Sequence, residues 1–134
     1  VYIPPIGDVI KVTDLERLMS PDADCRDLLR IIYALTDAET EILSILISQK
    51  EVRIDDLSDI VGKDKSTVYR SLQRLVGCRL VYKEKRIIEK GGYYHVYKPI
   101  SKDELKRQIH EYSNRWHERM RELAEMVDTL NCGS

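Results

Sequence analysis

Asp64-Lys65-Ser66-Thr67-Val68-Tyr69-Arg70-Ser71-Leu72-Gln73-Arg74-Leu75-Val76 is the stretch whose reading decides the fold. As a helix, it puts Val68, Leu72 and Leu75 on one stripe, with Val76 beside them. At about 100° per residue, Ser66, Arg70 and Gln73 point roughly the other way, flanked by Tyr69 and Arg74. A short helix that is apolar behind, with hydroxyl, guanidinium and amide in front, suits the DNA major groove. Its amino end adds Lys63, Lys65, the hydroxyls of Ser66 and Thr67, and the open N–H groups of a first turn, all of which suit phosphate. A solvated surface helix can carry the same pattern, so the flanking elements decide between the two.

Upstream, Thr36-Asp37-Ala38-Glu39 is a capping box that opens a helix to about Gln49, with Ile42, Leu43, Leu46 and Ile47 inward. Val52-Arg53-Ile54 reads as a short extended link. Asp55 is placed to cap a compact helix, about Asp56 to Val61, buried through Leu57, Ile60 and Val61. Gly62 follows, where a helix closes in a left-handed conformation. Two short helices joined by a tight Gly-containing turn, after a longer one, make a helix-turn-helix. Downstream, Gly77 closes the central helix and the period becomes that of strands. Leu80 to about Glu89, a Lys90-Gly91-Gly92 turn, and Tyr93 to Tyr97 form a hairpin, the wing. Lys83, Lys85, Arg86 and Lys90 gather towards its tip, and Val52–Ile54 is placed to add a third strand.

Before this unit, residues 1–13 read as an extended arm, since Pro4, Pro5 and Gly7 interrupt any helix. Thr13 or Asp14 is placed to cap a helix from Leu15 to Met19. Asp22 or Asp24 opens another through about Leu35, with Leu28, Ile31, Ile32 and Leu35 as its stripe. After the unit, Ser101-Lys102-Asp103-Glu104 is a second capping box, opening one helix to about Leu130. Its apolar positions, Leu105, Ile109, Tyr112, Trp116, Met120, Leu123, Val127 and Leu130, recur at spacings of 3 and 4. At 1.5 Å per residue such a helix reaches roughly 45 Å, longer than a small domain needs. The seam is expected to pair with a second copy or with the amino-terminal helices, packing within one subunit being the alternative.

The formal net charge of −1 conceals a strong polarity. Residues 1–62 carry 6 Lys/Arg against 13 Asp/Glu, residues 63–98 carry 10 against 3, and residues 99–134 carry 6 against 7. A block of +7 in a neutral chain is a footprint for a polyanion on one defined surface. No apolar run approaches the roughly 20 residues that span a bilayer, and no secretory signal is visible, so a cytoplasmic protein with no membrane partner is expected. Cys25, Cys78 and Cys132 lie far apart, which fits free thiols in a reducing compartment, a redox switch being the alternative. His95, His110 and His117 form no H-E-x-x-H arrangement, and Gly91-Gly92 belongs to a turn, so neither metal, cofactor nor enzymatic activity is expected.

The expected architecture is mainly α with a small antiparallel β-hairpin: a winged helix-turn-helix over 36–100, an arm and packing or dimerisation helices over 1–35, and a long dimerisation helix over 101–134. Leu57-Ser58-Asp59-Ile60-Val61-Gly62, Ser66-Thr67-Val68-Tyr69-Arg70-Ser71-Leu72 and Leu75-Val76-Gly77-Cys78-Arg79-Leu80-Val81 resemble the L-x-x-x-x-G-x-x-x-S-x-V-Y-x-x-L-x-x-L-x-x-x-G-L-V pattern of archaeal winged-helix transcriptional regulators, TrmB-like and the related MarR-like group. The sequence departs from the pattern at Gly77-Cys78-Arg79-Leu80, read as one extra residue between Gly and Leu. The resemblance implies double-stranded DNA binding and a homodimer. It does not imply a sugar ligand, because full-length sugar regulators carry a separate effector domain for which 134 residues leave no room. Whether a small-molecule effector exists stays open. In this scheme Ser66, Tyr69, Arg70 and Gln73 reach bases, Lys63, Lys65, Thr67 and Arg74 hold phosphates, and the wing lysines and Arg86 lie along the minor groove. A winged-helix protein-interaction module of a basal transcription or replication assembly is the alternative.

Overall fold

A computed structural model describes residues 12–130. Along the chain run α1 (Val12–Met19), α2 (Cys25–Ile32), α3 (Asp37–Gln49), α4 (Ile54–Val61), α5 (Lys65–Gly77), β1 (Val81–Ile87), β2 (Tyr93–Pro99) and α6 (Lys102–Glu125), which ends in a 3-10 turn, Met126–Thr129. The mainly helical winged helix-turn-helix is what the sequence predicts. The arm and Cys132 lie outside the described residues, except that Val12 and Thr13 already belong to α1.

The helix starts follow from local chemistry. Thr36 accepts the Glu39 N–H at 3.1 Å while Glu39 Oε1 accepts the Thr36 N–H at 2.9 Å, the reciprocal box at the head of α3. Asp24 and Asp27 do the same for α2. Ser101 caps α6 through the Glu104 N–H at 3.0 Å, but the Glu104 carboxylate turns to Arg107 instead of closing the box. Helix α4 begins two residues earlier than expected, at Ile54, with Arg53 as an N-cap that makes no side-chain bond. Asp55 therefore lies inside the first turn, where its charge still suits the helix dipole. With Ile54 helical, the expected third strand shrinks to one antiparallel bridge between Val52 and Tyr97, bonded at 3.0 and 2.8 Å.

Residues from α2 onward share one core. Leu29, Ile32, Tyr33 and Leu35 join Leu43 and Leu46 of α3, Leu57 of α4, Val68, Leu72 and Leu75 of α5, and Leu80, Val81 and Tyr97 of the hairpin. Ile60 is a correction: it faces out, 48 % exposed, because the side of α4 that meets the core is centred on Leu57. Helix α6 is also divided. Tyr112 is buried in the subunit's own core with Leu105 and Ile109 packed against it, and buried Gln108 accepts from the Tyr33 hydroxyl at 2.9 Å. These three apolar positions were expected in a dimer seam, yet they hold α6 to its own domain. The rest of the seam, Met120, Leu123, Val127 and Leu130, stays exposed, and Trp116 sits half-buried at the boundary.

The departure from the family pattern becomes clear at the end of α5. Leu80 N–H bonds to the Leu75 carbonyl at 3.1 Å and Arg79 N–H to the Val76 carbonyl at 3.0 Å, a Schellman closure with Arg79 at φ 60°. Counted from Leu75, no residue is inserted. Arg79 stands where the pattern has glycine and adopts the left-handed conformation that glycine favours. Arg79→Gly is expected to raise stability by about 0.5–1 kcal/mol, the relieved strain exceeding the entropy glycine adds to the unfolded chain. A denaturation midpoint that falls in this variant contradicts that account.

Candidate nucleic-acid interface

Helix α5 packs on α3 and α4 through Val68, Leu72 and Leu75, all at most 1 % exposed. That anchoring orients the opposite face. Ser66, Tyr69, Arg70 and Gln73 are exposed together on it, as their spacing predicts. The turn before α5 is built to hold this pose. Gly62 sits at φ 70° and closes α4 on the Ser58 carbonyl, while the Ser58 hydroxyl donates to the Lys63 carbonyl. Asp64 then caps α5, accepting the Thr67 N–H at 3.0 Å and the Ser66 hydroxyl at 3.3 Å. The Thr67 hydroxyl and N–H, with Ser66 and the charge of nearby Arg70, hold the Asp64 carboxyl below its ordinary range.

Several residues assigned to phosphates are placed differently. Thr67 is half-buried, with its N–H satisfied by Asp64, so it serves the helix start. Arg74 Nη2 donates to the carbonyls of Tyr33 and Ala34, at 3.2 and 3.0 Å. A cation there completes the carboxyl end of α2, where unpaired carbonyls collect. Arg74 is thus a tie between α5 and α2. Lys65 lies 2.9 Å from Asp55, an exposed pair that holds the Asp55 carboxyl below its usual range. Such a pair is worth little in water, so Lys65 can exchange it for a phosphate at small cost. Lys63 is exposed at the turn.

The register of the hairpin assigns its cations to faces. Lys83 opposite Tyr97, Lys85 opposite His95, and Ile87 opposite Tyr93 share one face; Tyr82 opposite Lys98, Glu84 opposite Val96, and Arg86 opposite Tyr94 share the other. On the second face Arg86 is half-buried between Glu84 and Glu51, the latter at 3.1 Å, and Lys98 lies 3.5 Å from Glu84. Arg86 therefore braces the wing to the α3–α4 link. The first face carries exposed Lys83 and Lys85 and runs down to Tyr97, which is buried beside α5. Burial, and then the neighbouring Tyr69 phenol, push the Tyr97 hydroxyl above its ordinary range. Lys90 is exposed in the turn beyond.

Sequence reasoning passed over Arg53. Its guanidinium stacks 4.3 Å from the centre of the Tyr94 ring, on the opposite hairpin face from Lys85. An Arg and a Tyr this far apart in the chain gave no local signal of that contact.

Three helices ending in α5, followed by a two-stranded antiparallel hairpin, define a winged helix-turn-helix protein. Solved structures share the arrangement: a "possible transcriptional regulator" of Methanosarcina mazei Go1 superposes with a TM-score of 0.65 at 24% identity, covering 80% of this chain and 94% of that one. A protein of the thermoacidophilic archaeon Sulfolobus tokodaii gives 0.58 at 21% identity, over 71% and 93% of the two chains. An uncharacterized protein of Methanocaldococcus jannaschii is 26% identical over 101 residues, 75% of this chain and 76% of its own. The family described as "Sugar-specific transcriptional regulator TrmB" matches residues 29–103, more than half of the chain. The chain belongs to the TrmB family of transcriptional regulators. None of the helices among the described residues is long and apolar enough to cross a membrane.

Proposed function

We propose that the chain is a regulator that binds double-stranded DNA sequence-specifically as a homodimer, with residues 36–100 on the duplex and residues 101–134 at the dimer seam. The observation that carries this reading is the exposed set Ser66, Tyr69, Arg70 and Gln73 on a helix whose other face is wholly buried. These side chains present donors and acceptors to base edges, while Lys63 and Lys65 meet the phosphates beside them. Lys83, Lys85 and Lys90 continue the positive surface along the wing. The second copy is supported by the outer half of α6, where Met120 is 50 % and Leu123 46 % exposed, followed by Val127 at 60 %. An apolar run of this kind on a helix already anchored at its other end is suited to pairing with itself.

Selection of bound sequences from a random duplex pool tests specificity and symmetry together. Enrichment of a two-fold symmetric site is expected, with half-sites about one helical turn apart. Recovery of no enriched sequence would sink the specific reading. A second expectation concerns the wing: Lys85→Ala should weaken binding to all duplexes alike and reduce the salt slope by about one. A change confined to one sequence would show that Lys85 reads bases instead.

A further inference from the structure

Where the hairpin leaves the core, its end is apolar and uncovered. Ile87 is 81 % exposed, its cross-strand partner Tyr93 57 %, and Ile88 at the start of the turn 43 %. Facing side chains on a sheet ordinarily shield each other. At these exposures the pair contributes little to the fold, and the apolar surface stands in water at the far tip of the wing. The ground around it is cationic. The Lys85 ammonium lies 4.1 Å from the centre of the Tyr93 ring, Lys90 sits in the turn, and Glu89 is the one carboxylate there. Gly91 and Gly92, at φ 107° and 85°, complete the turn without side chains, so the backbone on that side can approach a surface closely.

A polyanion whose interior is apolar matches both features at once. The duplex minor groove has negative walls and, between base pairs, flat apolar planes into which proteins insert aliphatic wedges. We propose that Ile87 is such a wedge: the wing enters the minor groove beside the site of α5, inserts Ile87 at a base step, and bends the duplex. Lys85 and Lys90 hold the flanking phosphates while it does so. This rests on the DNA-binding reading above and adds to it a demand on DNA shape. Flexible pyrimidine–purine steps, which unstack easily, are favoured at that position whether or not any side chain reads their edges.

The test is energy transfer between dyes at the two ends of a duplex taken from the selected pool, with 2-aminopurine placed at the candidate step to report unstacking. The intact protein is expected to bend the bound duplex by about 20–90° and to raise the 2-aminopurine emission. Ile87→Ala removes no packing and should abolish the emission change and most of the bend. Lys85→Ala should bind more weakly yet bend the bound duplex as before. A straight complex, or an unchanged bend in Ile87→Ala, overturns the wedge and leaves DNA binding standing. Failure of the intact protein to bind any duplex overturns both.

Discussion

Leu123→Asp combined with Val127→Asp is expected to leave the subunit folded, convert the protein to a monomer, and weaken binding to the two-fold site by about 10²–10⁴-fold. The fold survives because neither residue belongs to the core: α6 is held through Leu105, Ile109, Gln108 and Tyr112, which the substitutions do not touch. The dimer does not survive, because two carboxylates per subunit brought against their own copies must lose water without a partner cation. Arg119 and Arg121 lie nearby, but Arg119 is already 3.1 Å from Glu122 and both are exposed, so neither offers a buried counter-charge. The loss on DNA follows from the proposed dimer: two winged domains joined through one seam would engage the second half-site intramolecularly, whereas separate monomers must find each half-site from solution. Mass by light scattering and affinity by gel shift check the two halves. A dimeric variant rules out this seam, and a monomer that keeps full affinity rules out cooperation between half-sites.

What could be read from the chain beforehand follows the range of the interactions involved. The head of α3, the Gly62 closure and the two faces of α5 depend on residues within four of each other, and their spacing was enough. The hairpin was legible because Gly-Gly between two β-rich runs is also a local signal. Arg74 and Arg86 were not legible. Each is a cation on the expected stretch, but its partner lies in another element, the α2 carboxyl end for one and Glu51 for the other. Periodicity alone also cannot divide a long apolar stripe between two partners. Leu105 to Tyr112 and Met120 to Leu130 have the same spacing, and only the position of the core beneath the first half separates them. At Arg79 the chain was misread for a different reason: Gly77 drew the closure to itself, although the left-handed residue sits two positions later.

Arg70 and Arg74 are four residues apart on one helix, and the proposed reading gives them unlike tasks that substitution can separate. Arg70→Ala is expected to relax preference at one base pair of each half-site, by about 1–3 kcal/mol, or roughly 5- to 150-fold in discrimination. Binding to unrelated duplexes should fall much less, because a single phosphate-scale charge is lost among several. Arg70→Lys should recover that non-specific part and little of the preference, since an ammonium cannot make the paired contacts of a guanidinium fork. Arg74→Ala should behave in the opposite way, leaving the selected sequence unchanged while lowering stability by about 1 kcal/mol through the uncapped end of α2. Competition between the selected duplex and single-base variants, run beside denaturation curves for all three proteins, makes the comparison. If Arg74→Ala also relaxes the sequence preference, then the exposed face of α5 is wider than its packing implies, and the division of labour between the two arginines fails. If Arg70→Ala binds every duplex as before, the base-reading face lies elsewhere on the helix.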